Sequence, residues 1–345
     1  MGEMSRTRIA INGFGRIGRL FFRQSFGTAK FDIVAINDLG DVENLAYLLK
    51  YDTVYGRFKG QVASNKEQGT LVVGGKKIVM LQEKDAAKLP WKDLAVDVVV
   101  EATGLFESYE KAKVHLTAGA KRVVITAPAK DADGSAGKTV LMGVNEGDLK
   151  GCAITSNASC TTNSVASVMQ VLSENPGIKK ALLGTVHAMT STQNLADGPT
   201  KGKDFRRGRA AGANIAPSTT GAAIAVTRAI PELEGKFDGL AYRVPVIVGS
   251  LSDVTFIAKR KTSVEEINDI LTKAAGEPCW QGILAVTNEQ LVSSDIVGRT
   301  EAAIVDLSLT KVVDGDLVKV LSWYDNEAGY VATLVRHVEA VAALI

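Results

Sequence analysis

The segment from Arg8 to Asp38 constrains the fold of this chain most strongly. An apolar run 8-RIAIN-12 is followed by a glycine turn 13-GFGRIG-18, a second apolar run 19-RLFFRQSF-26 and a third, 32-DIVAIND-38. This order predicts strand, turn, helix and strand, which is the repeating unit of a doubly wound parallel sheet. Gly13, Gly15 and Gly18 form a G-x-G-x-x-G motif, which lets the backbone approach a pyrophosphate at a positive helix terminus.

Asp38 follows Gly18 by twenty residues and ends the second predicted strand. A carboxylate at this position hydrogen-bonds the adenine ribose of a bound dinucleotide. The 2′-phosphate of NADP would meet a like charge, a repulsion of about 4 kcal/mol at a separation of about 4 Å and an effective dielectric of about 20. Since Leu39 offers no compensating cation, the sequence favours NAD. The alternative is a tight glycine turn in an α/β protein that binds no nucleotide.

The pattern changes near residue 159. Before it, buried-type runs at 96–103 and 121–128 flank a predicted helix at 107–120, as expected of a parallel sheet. After it, long and partly alternating runs predict a mixed or antiparallel sheet; they lie at 181–189, 241–260, 302–313 and 317–325. We therefore predict an α/β protein with two domains. They are an N-terminal Rossmann-type doubly wound sheet (1–159), onto which a C-terminal helix (328–345) packs back, and an α+β catalytic domain (160–327).

Composition narrows the classes of function. The formal net charge is only +2, with acidic and basic residues mixed along the chain, which argues against nucleic acid as the primary partner and against a membrane surface. The three cysteines show neither the spacing of a zinc site nor the density of a secreted scaffold. The chain lacks a signal-peptide pattern and any run of membrane-spanning length. We expect a cytoplasmic protein that acts on small molecules and binds no metal.

Cys160 lies in 156-SNASCTTNS-164, just before the apolar run 165-VASVMQVL-172. Ser159 is a natural N-cap for a helix beginning here, which would place the thiol at the positive end of the helix dipole. Together with an adjacent imidazole, this position is expected to lower the thiol pKa from about 8.5 to about 6 and produce a nucleophile. The alternative is a small thiol packed beneath a helix.

The chain has three histidines, His115, His187 and His337. His115 and His337 fall on predicted helices, where surface or packing roles are expected. His187 ends the predicted strand 181–189 and precedes a long polar loop, so we predict that it is the base for Cys160. Hydroxyl, amide and guanidinium groups suited to phosphate oxygens follow Cys160 in loops and strand ends; they belong to Thr161, Thr190, Arg207, Arg209, Thr220, Gly221 and Arg243.

Taken in order, NGFGRIGR, SNASCTTN, HAMTSTQ, DGPTKGKDFRRGRAAGANIAPSTTGAA, RVP and WYDNEAGY resemble the phosphorylating glyceraldehyde-3-phosphate dehydrogenases over essentially the whole chain. The resemblance implies oxidation of D-glyceraldehyde 3-phosphate by NAD with inorganic phosphate, giving 1,3-bisphosphoglycerate. Cys160 would form a hemithioacetal and then a thioester, with His187 as the base. It also implies a homotetramer, in which the polar loop 191–217 borders a neighbouring subunit's cofactor.

The resemblance also assigns residues to ligands. NAD would be held by Gly13, Gly15, Arg16, Ile17, Gly18, Asp38, Lys84, Thr126 and Asn326. The substrate phosphate or the attacking phosphate would be held by Ser159, Thr161, Thr190, Arg207, Thr220, Gly221 and Arg243. The chain departs from the family pattern at Met189, at 246–248 and at Ala328. We expect these departures to bear on packing, on the shape of the substrate pocket and on assembly, but not on the reaction.

Two other functions are compatible with part of this pattern. An erythrose-4-phosphate dehydrogenase would share the cysteine and histidine but release its thioester with water. A dinucleotide-binding protein with a non-catalytic role would need neither Cys160 nor His187. The requirement for phosphate distinguishes the first alternative, and the reactivity of Cys160 distinguishes the second.

Overall fold

The computed structural model describes residues 6–200 and 202–345. Their contacts group into two units. The first unit contains residues 6–140, 146–158 and 334–345, and the second contains residues 141–145 together with the described part of 159–333. The helix at the end of the chain begins in the second unit, and its residues from Leu334 onward belong to the first.

The first unit is built on a sheet whose nine described strands have the order β10-β11-β9-β8-β1-β2-β7-β6-β5. Its strands, with the separate hairpin β3–β4, are β1 (Thr7–Asn12), β2 (Phe31–Asn37), β3 (Tyr51–Asp52), β4 (Gly56–Arg57), β5 (Val62–Asn65), β6 (Thr70–Val73), β7 (Lys76–Leu81), β8 (Val98–Glu101), β9 (Arg122–Ile125), β10 (Lys138–Thr139) and β11 (Ile154–Ser156). Its helices are α1 (Arg16–Ser25), α2 (Val42–Lys50) and α3 (Tyr109–Thr117). All pairings from β10 to β7 are parallel, and β7, β6 and β5 pair antiparallel.

Strand β1 lies between β8 and β2. The sheet grows outward from β1 in both directions, so β1 marks the point where the strand order reverses and where ligands bind in such sheets. Because β1, β2, β7, β8 and β9 are parallel, their carboxyl ends lie at one edge. The loops that contain Gly13, Asp38, Lys84 and Thr126 all follow these ends. All four residues of β8 are buried, as its run of valines predicts for a central parallel strand.

Two of the three histidines pack inside the first unit, in agreement with the packing role considered from sequence. His115 is fully buried; its Nε2 lies 2.9 Å from Glu101 Oε2, and its Nδ1 accepts a hydrogen bond from Trp91 Nε1 at 3.2 Å. His337 is also fully buried, 2.7 Å from Thr155 Oγ1, and burial lowers its pKa to about 3. Both rings therefore belong to the core.

The second unit is a mixed sheet with the strand order β13-β14-β12-β15-β19-β17-β16, and β18 pairs with β19. Its elements are α4 (Cys160–Glu174), β12 (Ile178–Ala188), β13 (Ala216–Thr219), α5 (Ala222–Ala229), β14 (Phe237–Val244), β15 (Ser250–Ala258), α6 (Val264–Ala275), β16 (Leu284–Thr287), β17 (Ala303–Asp306), β18 (Lys311–Val313), β19 (Leu317–Tyr324) and the first part of α7 (Ala328–Ala342), whose residues from Leu334 onward belong to the first unit. Strand β12 runs parallel to β14 and antiparallel to β15. Together with the first sheet, this confirms the predicted α/β class.

The sequence run 241–260 is two strands, not one. Strand β14 ends at Val244 because Pro245 has no N–H to donate to a sheet. The chain then turns at Gly249, whose φ of +97° suits glycine, and a Cβ at this position would lie 2.3 Å from Ser293 O. The run 302–313 is likewise interrupted by a 3₁₀ turn at Leu307–Leu309. These breaks were not evident from the hydrophobic pattern.

Two glycines of the G-x-G-x-x-G motif, Gly15 before helix α1 and Gly18 within it, give a matched test of backbone crowding. A Cβ at Gly18 would lie 2.1 Å from Gly13 O, whereas a Cβ at Gly15 would meet no atom within 4 Å. We expect Gly18→Ala to destabilise the protein by about 3 kcal/mol, since backbone must move to accept the methyl group. Gly15→Ala should leave the urea midpoint close to that of the wild type. Equal midpoints for the two variants would contradict this account of the loop.

Candidate active site

The glycine loop of the first unit has the shape expected of a pyrophosphate cradle. Gly13 has a φ of +96°, and a Cβ there would lie 2.7 Å from Ala102 C and from Thr103 N. The space in front of Gly15 is open. Helix α1 begins at Arg16, so the Ile17 amide lies in its first turn, where N–H groups are available to an anion. The residues present therefore fit a dinucleotide.

Asp38 lies at the carboxyl end of β2, beside this loop. Its Oδ2 accepts a hydrogen bond from Phe14 N at 2.7 Å, and its Oδ1 accepts one from Gly40 N at 2.8 Å. These bonds fix the carboxylate and leave lone pairs on both oxygens, because a carboxylate oxygen accepts two hydrogen bonds. A ribose hydroxyl can thus donate to Asp38 without displacing either amide.

The other residues of this unit that are predicted to bind the cofactor make different contacts with the protein. The Arg16 guanidinium pairs with Asp52 and lies over the Tyr55 ring, so its side chain is already engaged. Thr126 follows β9, and its N–H donates to Glu101 O at 3.0 Å. Lys84 is exposed on the loop after β7. Their contribution to NAD binding stays a prediction.

Cys160 is the first residue of α4 in the second unit. Ser159 caps the helix, and its Oγ accepts a hydrogen bond from Thr162 N at 3.0 Å. The predicted cap is therefore confirmed. The cap fixes the first turn, and the Cys160 sulfur lies at the positive end of the helix dipole.

His187 reaches the same point from strand β12. Burial alternates along this strand, which places Thr185 and His187 on the buried face. His187 Nε2 lies 3.3 Å from Cys160 Sγ. The other nitrogen, Nδ1, is 2.6 Å from Ala188 O and 2.6 Å from Arg243 Nη1. The candidate nucleophile, the candidate base and a guanidinium therefore meet in one cluster within the second unit.

The ionisation of this cluster differs from the sequence prediction. Although Cys160 keeps some exposed surface, burial of the thiol raises its pKa, against the opposing effects of the Arg243 charge and the hydrogen bonds of Thr161. Burial, and then the Arg243 charge, lower the pKa of His187 to about 3. The expected fall in the Cys160 pKa is therefore wrong, because desolvation of the thiol outweighs the Arg243 charge and the hydrogen bonds that favour the thiolate. At neutral pH the pair is a thiol beside a neutral imidazole.

Tyr324, at the end of β19, supports this cluster and was not singled out from sequence. Its hydroxyl lies 2.8 Å from Thr161 Oγ1 and 2.9 Å from Thr185 Oγ1, and its ring meets that of His187 edge-on with centroids 6.1 Å apart. Burial raises the Tyr324 pKa, so the phenol stays protonated. A sequence signal did exist: the alternation of 317-LVKVLSWY-324 puts this polar ring on the buried face.

Asn326 lies just beyond β19 and is 5% exposed. Its Oδ1 accepts hydrogen bonds from Gly249 N at 3.1 Å and from Ser250 Oγ at 2.9 Å. Ser250 Oγ in turn accepts one from Ala188 N at 3.1 Å. The Ser250 hydroxyl thus connects Asn326 with the end of β12, next to His187, and sequence reasoning missed it.

The residues predicted to hold phosphate divide into two groups. Ser159, Thr161 and Arg243 belong to the Cys160 cluster by the contacts given above. Thr190, Arg207, Thr220 and Gly221 lie in the segments between β12 and α5. Arg207 donates to Ser218 Oγ from Nη2 at 2.8 Å, and its charge lowers the pKa of Arg243, so the two guanidinium groups are electrostatic neighbours. Phosphate binding by both groups stays a prediction.

Within residues 6–200 and 202–345, no group of three or more His, Cys, Asp or Glu side chains is arranged to hold a metal ion. No helix there is both long enough and apolar enough to span a membrane.

Replacing Arg243 with methionine should make Cys160 harder to ionise. The positive charge of Arg243 lowers the thiol pKa, and its removal should raise that pKa. At a fixed pH below the pKa, alkylation by neutral iodoacetamide should then be about tenfold slower. Arg260→Met is the matched control, because Arg260 is exposed and pairs with Glu266. An unchanged or accelerated rate in Arg243→Met would contradict the predicted electrostatic effect.

Comparison with known proteins identifies the family. Residues 7–109 match the glyceraldehyde 3-phosphate dehydrogenase NAD binding domain, and residues 159–326 match the C-terminal domain of the same family. Among similar proteins is the glyceraldehyde-3-phosphate dehydrogenase of Clostridium pasteurianum, 46% identical over 98% of this chain and 99% of that protein. The enzyme of Mycobacterium avium is 50% identical over 97% and 98% of the two chains. The chain belongs to the glyceraldehyde-3-phosphate dehydrogenase family, NAD-dependent oxidoreductases that act on an aldehyde group.

Proposed function

We propose that Cys160 and His187 carry the family's reaction in this chain: D-glyceraldehyde 3-phosphate, NAD and inorganic phosphate are converted to 1,3-bisphosphoglycerate and NADH. The observation that supports this assignment is the 3.3 Å approach of Cys160 Sγ to His187 Nε2 at the first turn of α4. A thiol and an imidazole at this distance can exchange a proton directly.

The first step requires a base because the thiol is protonated at rest. His187 Nε2 takes the proton as Cys160 Sγ attacks the aldehyde carbon, and a carbon–sulfur bond forms. The resulting oxyanion lies near the first-turn amide of Cys160 and the protonated imidazole, which stabilise it. The hemithioacetal carbon then loses a hydride, for which bound NAD supplies the acceptor, and a thioester remains on Cys160.

The second step releases the acyl group to phosphate. An oxygen of inorganic phosphate attacks the thioester carbonyl, the carbon–sulfur bond breaks, and the sulfur of Cys160 leaves as thiolate. The thiolate takes back the proton held by His187, and the proton of the attacking hydrogen phosphate passes to solvent. The charge of Arg243, which favours the ionised sulfur, assists this departure. The product is an acyl phosphate, so the free energy of oxidation is conserved instead of being lost to hydrolysis.

We propose the same residues for ligand binding as the sequence predicted. The glycine loop from Gly13 to Gly18, with Asp38, Lys84 and Thr126, holds NAD in an NAD-binding domain at 1–159. In the catalytic domain at 160–327, Asn326 orients the nicotinamide amide. Since Asn326 Oδ1 is already held by Gly249 and Ser250, its Nδ2 is the donor we assign to that contact. Substrate or attacking phosphate is assigned to Ser159, Thr161, Thr190, Arg207, Thr220, Gly221 and Arg243.

A steady-state assay of NADH formation tests the reaction. We expect turnover with glyceraldehyde 3-phosphate and NAD only when phosphate or arsenate is present, and much weaker activity with NADP, because Asp38 would repel a 2′-phosphate. Cys160→Ser should lower kcat at least about 10³-fold and leave NAD affinity unchanged, whereas Cys279→Ser, at an exposed position, should retain activity. Phosphate-independent turnover of erythrose 4-phosphate would instead favour the alternative enzyme.

We also propose a homotetramer, which would cover apolar surface on the second unit. Leu182 and Val186 on β12 are 65% and 37% exposed, and Leu240 and Tyr242 on the adjacent strand β14 are 48% and 37% exposed. In the polar loop, Leu195, Phe205 and Ile215 are even more exposed. Patches of this kind mark protein interfaces.

Sedimentation equilibrium tests this assembly. We expect a mass of four chains, and replacing Leu182 and Leu240 together with lysine should dissociate it by burying charge in the proposed interface. Lysine at the exposed Leu344 is the control. A wild-type protein that sediments as a monomer would refute the tetramer.

Separately, we propose a cytoplasmic location, since all three cysteines are free thiols and Cys160 must stay reduced; cell fractionation would test it.

A further inference from the structure

His187 Nδ1 lies close to two groups that require opposite protonation states. It is 2.6 Å from Ala188 O, an acceptor that needs a proton on Nδ1. It is also 2.6 Å from Arg243 Nη1, a donor that needs the Nδ1 lone pair. A neutral imidazole nitrogen provides either a proton or a lone pair, never both. The two interactions are therefore mutually exclusive.

The choice at Nδ1 determines what Nε2 can do, because a neutral imidazole carries a single proton. When Arg243 donates to Nδ1, the proton is on Nε2 and faces Cys160 Sγ at 3.3 Å. In that tautomer Nε2 has no lone pair with which to accept the thiol proton. When Nδ1–H donates to Ala188 O instead, Nε2 presents its lone pair to the thiol and can act as a base.

Arg243 is the mobile partner in this competition. Ala188 O belongs to the end of β12 and is fixed by the backbone, whereas the guanidinium stands on a flexible side chain and also reaches Ala188 O, at 3.0 Å. The two groups that the Arg243 guanidinium contacts, His187 Nδ1 and Ala188 O, are both uncharged. An anion would therefore be the strongest available partner for this guanidinium.

We propose that a phosphate group bound by Arg243 draws the guanidinium away from His187 Nδ1 and so switches His187 from the Nε2–H to the Nδ1–H tautomer. The base is then competent only while a phosphate is held. This proposal rests on the function proposed above, in which Arg243 binds phosphate, and it gives Arg243 a positioning role in addition to binding. An aldehyde without a phosphate group would meet a base in the wrong tautomer.

Nitrogen-15 NMR of histidine-labelled protein measures the tautomer directly, since protonated and unprotonated ring nitrogens resonate far apart. The NAD-loaded enzyme without aldehyde is used, so that inorganic phosphate can be added without turnover. The ring-nitrogen signals of His187 are assigned as those that are missing from the spectrum of His187→Asn. We expect Nε2–H in phosphate-free enzyme and Nδ1–H at saturating phosphate, with the signals of His115 and His337 unchanged. The proposal would be overturned if His187 carried its proton on the same nitrogen, Nδ1 or Nε2, both without phosphate and at saturating phosphate.

Two variants test whether the phosphate-dependent change of the His187 tautomer requires Arg243. Arg243→Met should show Nδ1–H without phosphate and no response to it, whereas Arg260→Met should switch like the wild type. A switch that persists in Arg243→Met would refute the role of Arg243. If that variant does not fold, the wild-type titration still decides the proposal. Because no turnover is involved, failure of the phosphate-dependent assay and failure of the tautomer switch are distinguishable outcomes.

Discussion

The burial of helix α4 is the constraint on which the candidate active site depends. Eleven of its fifteen residues are buried, and it packs against α5, α6 and strands of the second sheet. A helix held this firmly cannot move its first turn independently, so Cys160 stays fixed opposite the buried face of β12. The distance between Cys160 Sγ and His187 Nε2 is thus a property of the core of the second unit, not of a flexible loop.

Burial also determines the chemistry that these two residues can perform. Desolvation penalises charge on both the thiol and the imidazole. The Arg243 charge favours the thiolate and disfavours the imidazolium. The pair at rest is therefore neutral. In the proposed reaction, proton transfer accompanies attack on the substrate, and the developing negative charge forms near Arg243 and the positive end of the α4 dipole.

The sequence predicted much of this arrangement. The order of strand, glycine turn, helix and acidic residue predicted the parallel sheet and the use of NAD. The α/β class, the family and the cofactor are confirmed. The cap at Ser159 was readable because capping is local chemistry. The break at Pro245 was missed although a proline stood in the run. The raised pKa of Cys160 could not be read from sequence, because it depends on burial by residues distant in the chain. Ser250 was missed for the same reason: nothing in the local pattern shows that it contacts Asn326.

The hydrogen bonds of the Ser250 hydroxyl constrain which sequence changes such an enzyme can accept. It joins Ala188, whose carbonyl lies against the imidazole of His187, to Asn326. Loss of this hydroxyl would loosen both strand ends at once. Substitutions at Asn326, which we propose orients the nicotinamide, and at Ala188, which contacts the imidazole, are therefore coupled, and only paired changes would preserve both alignments.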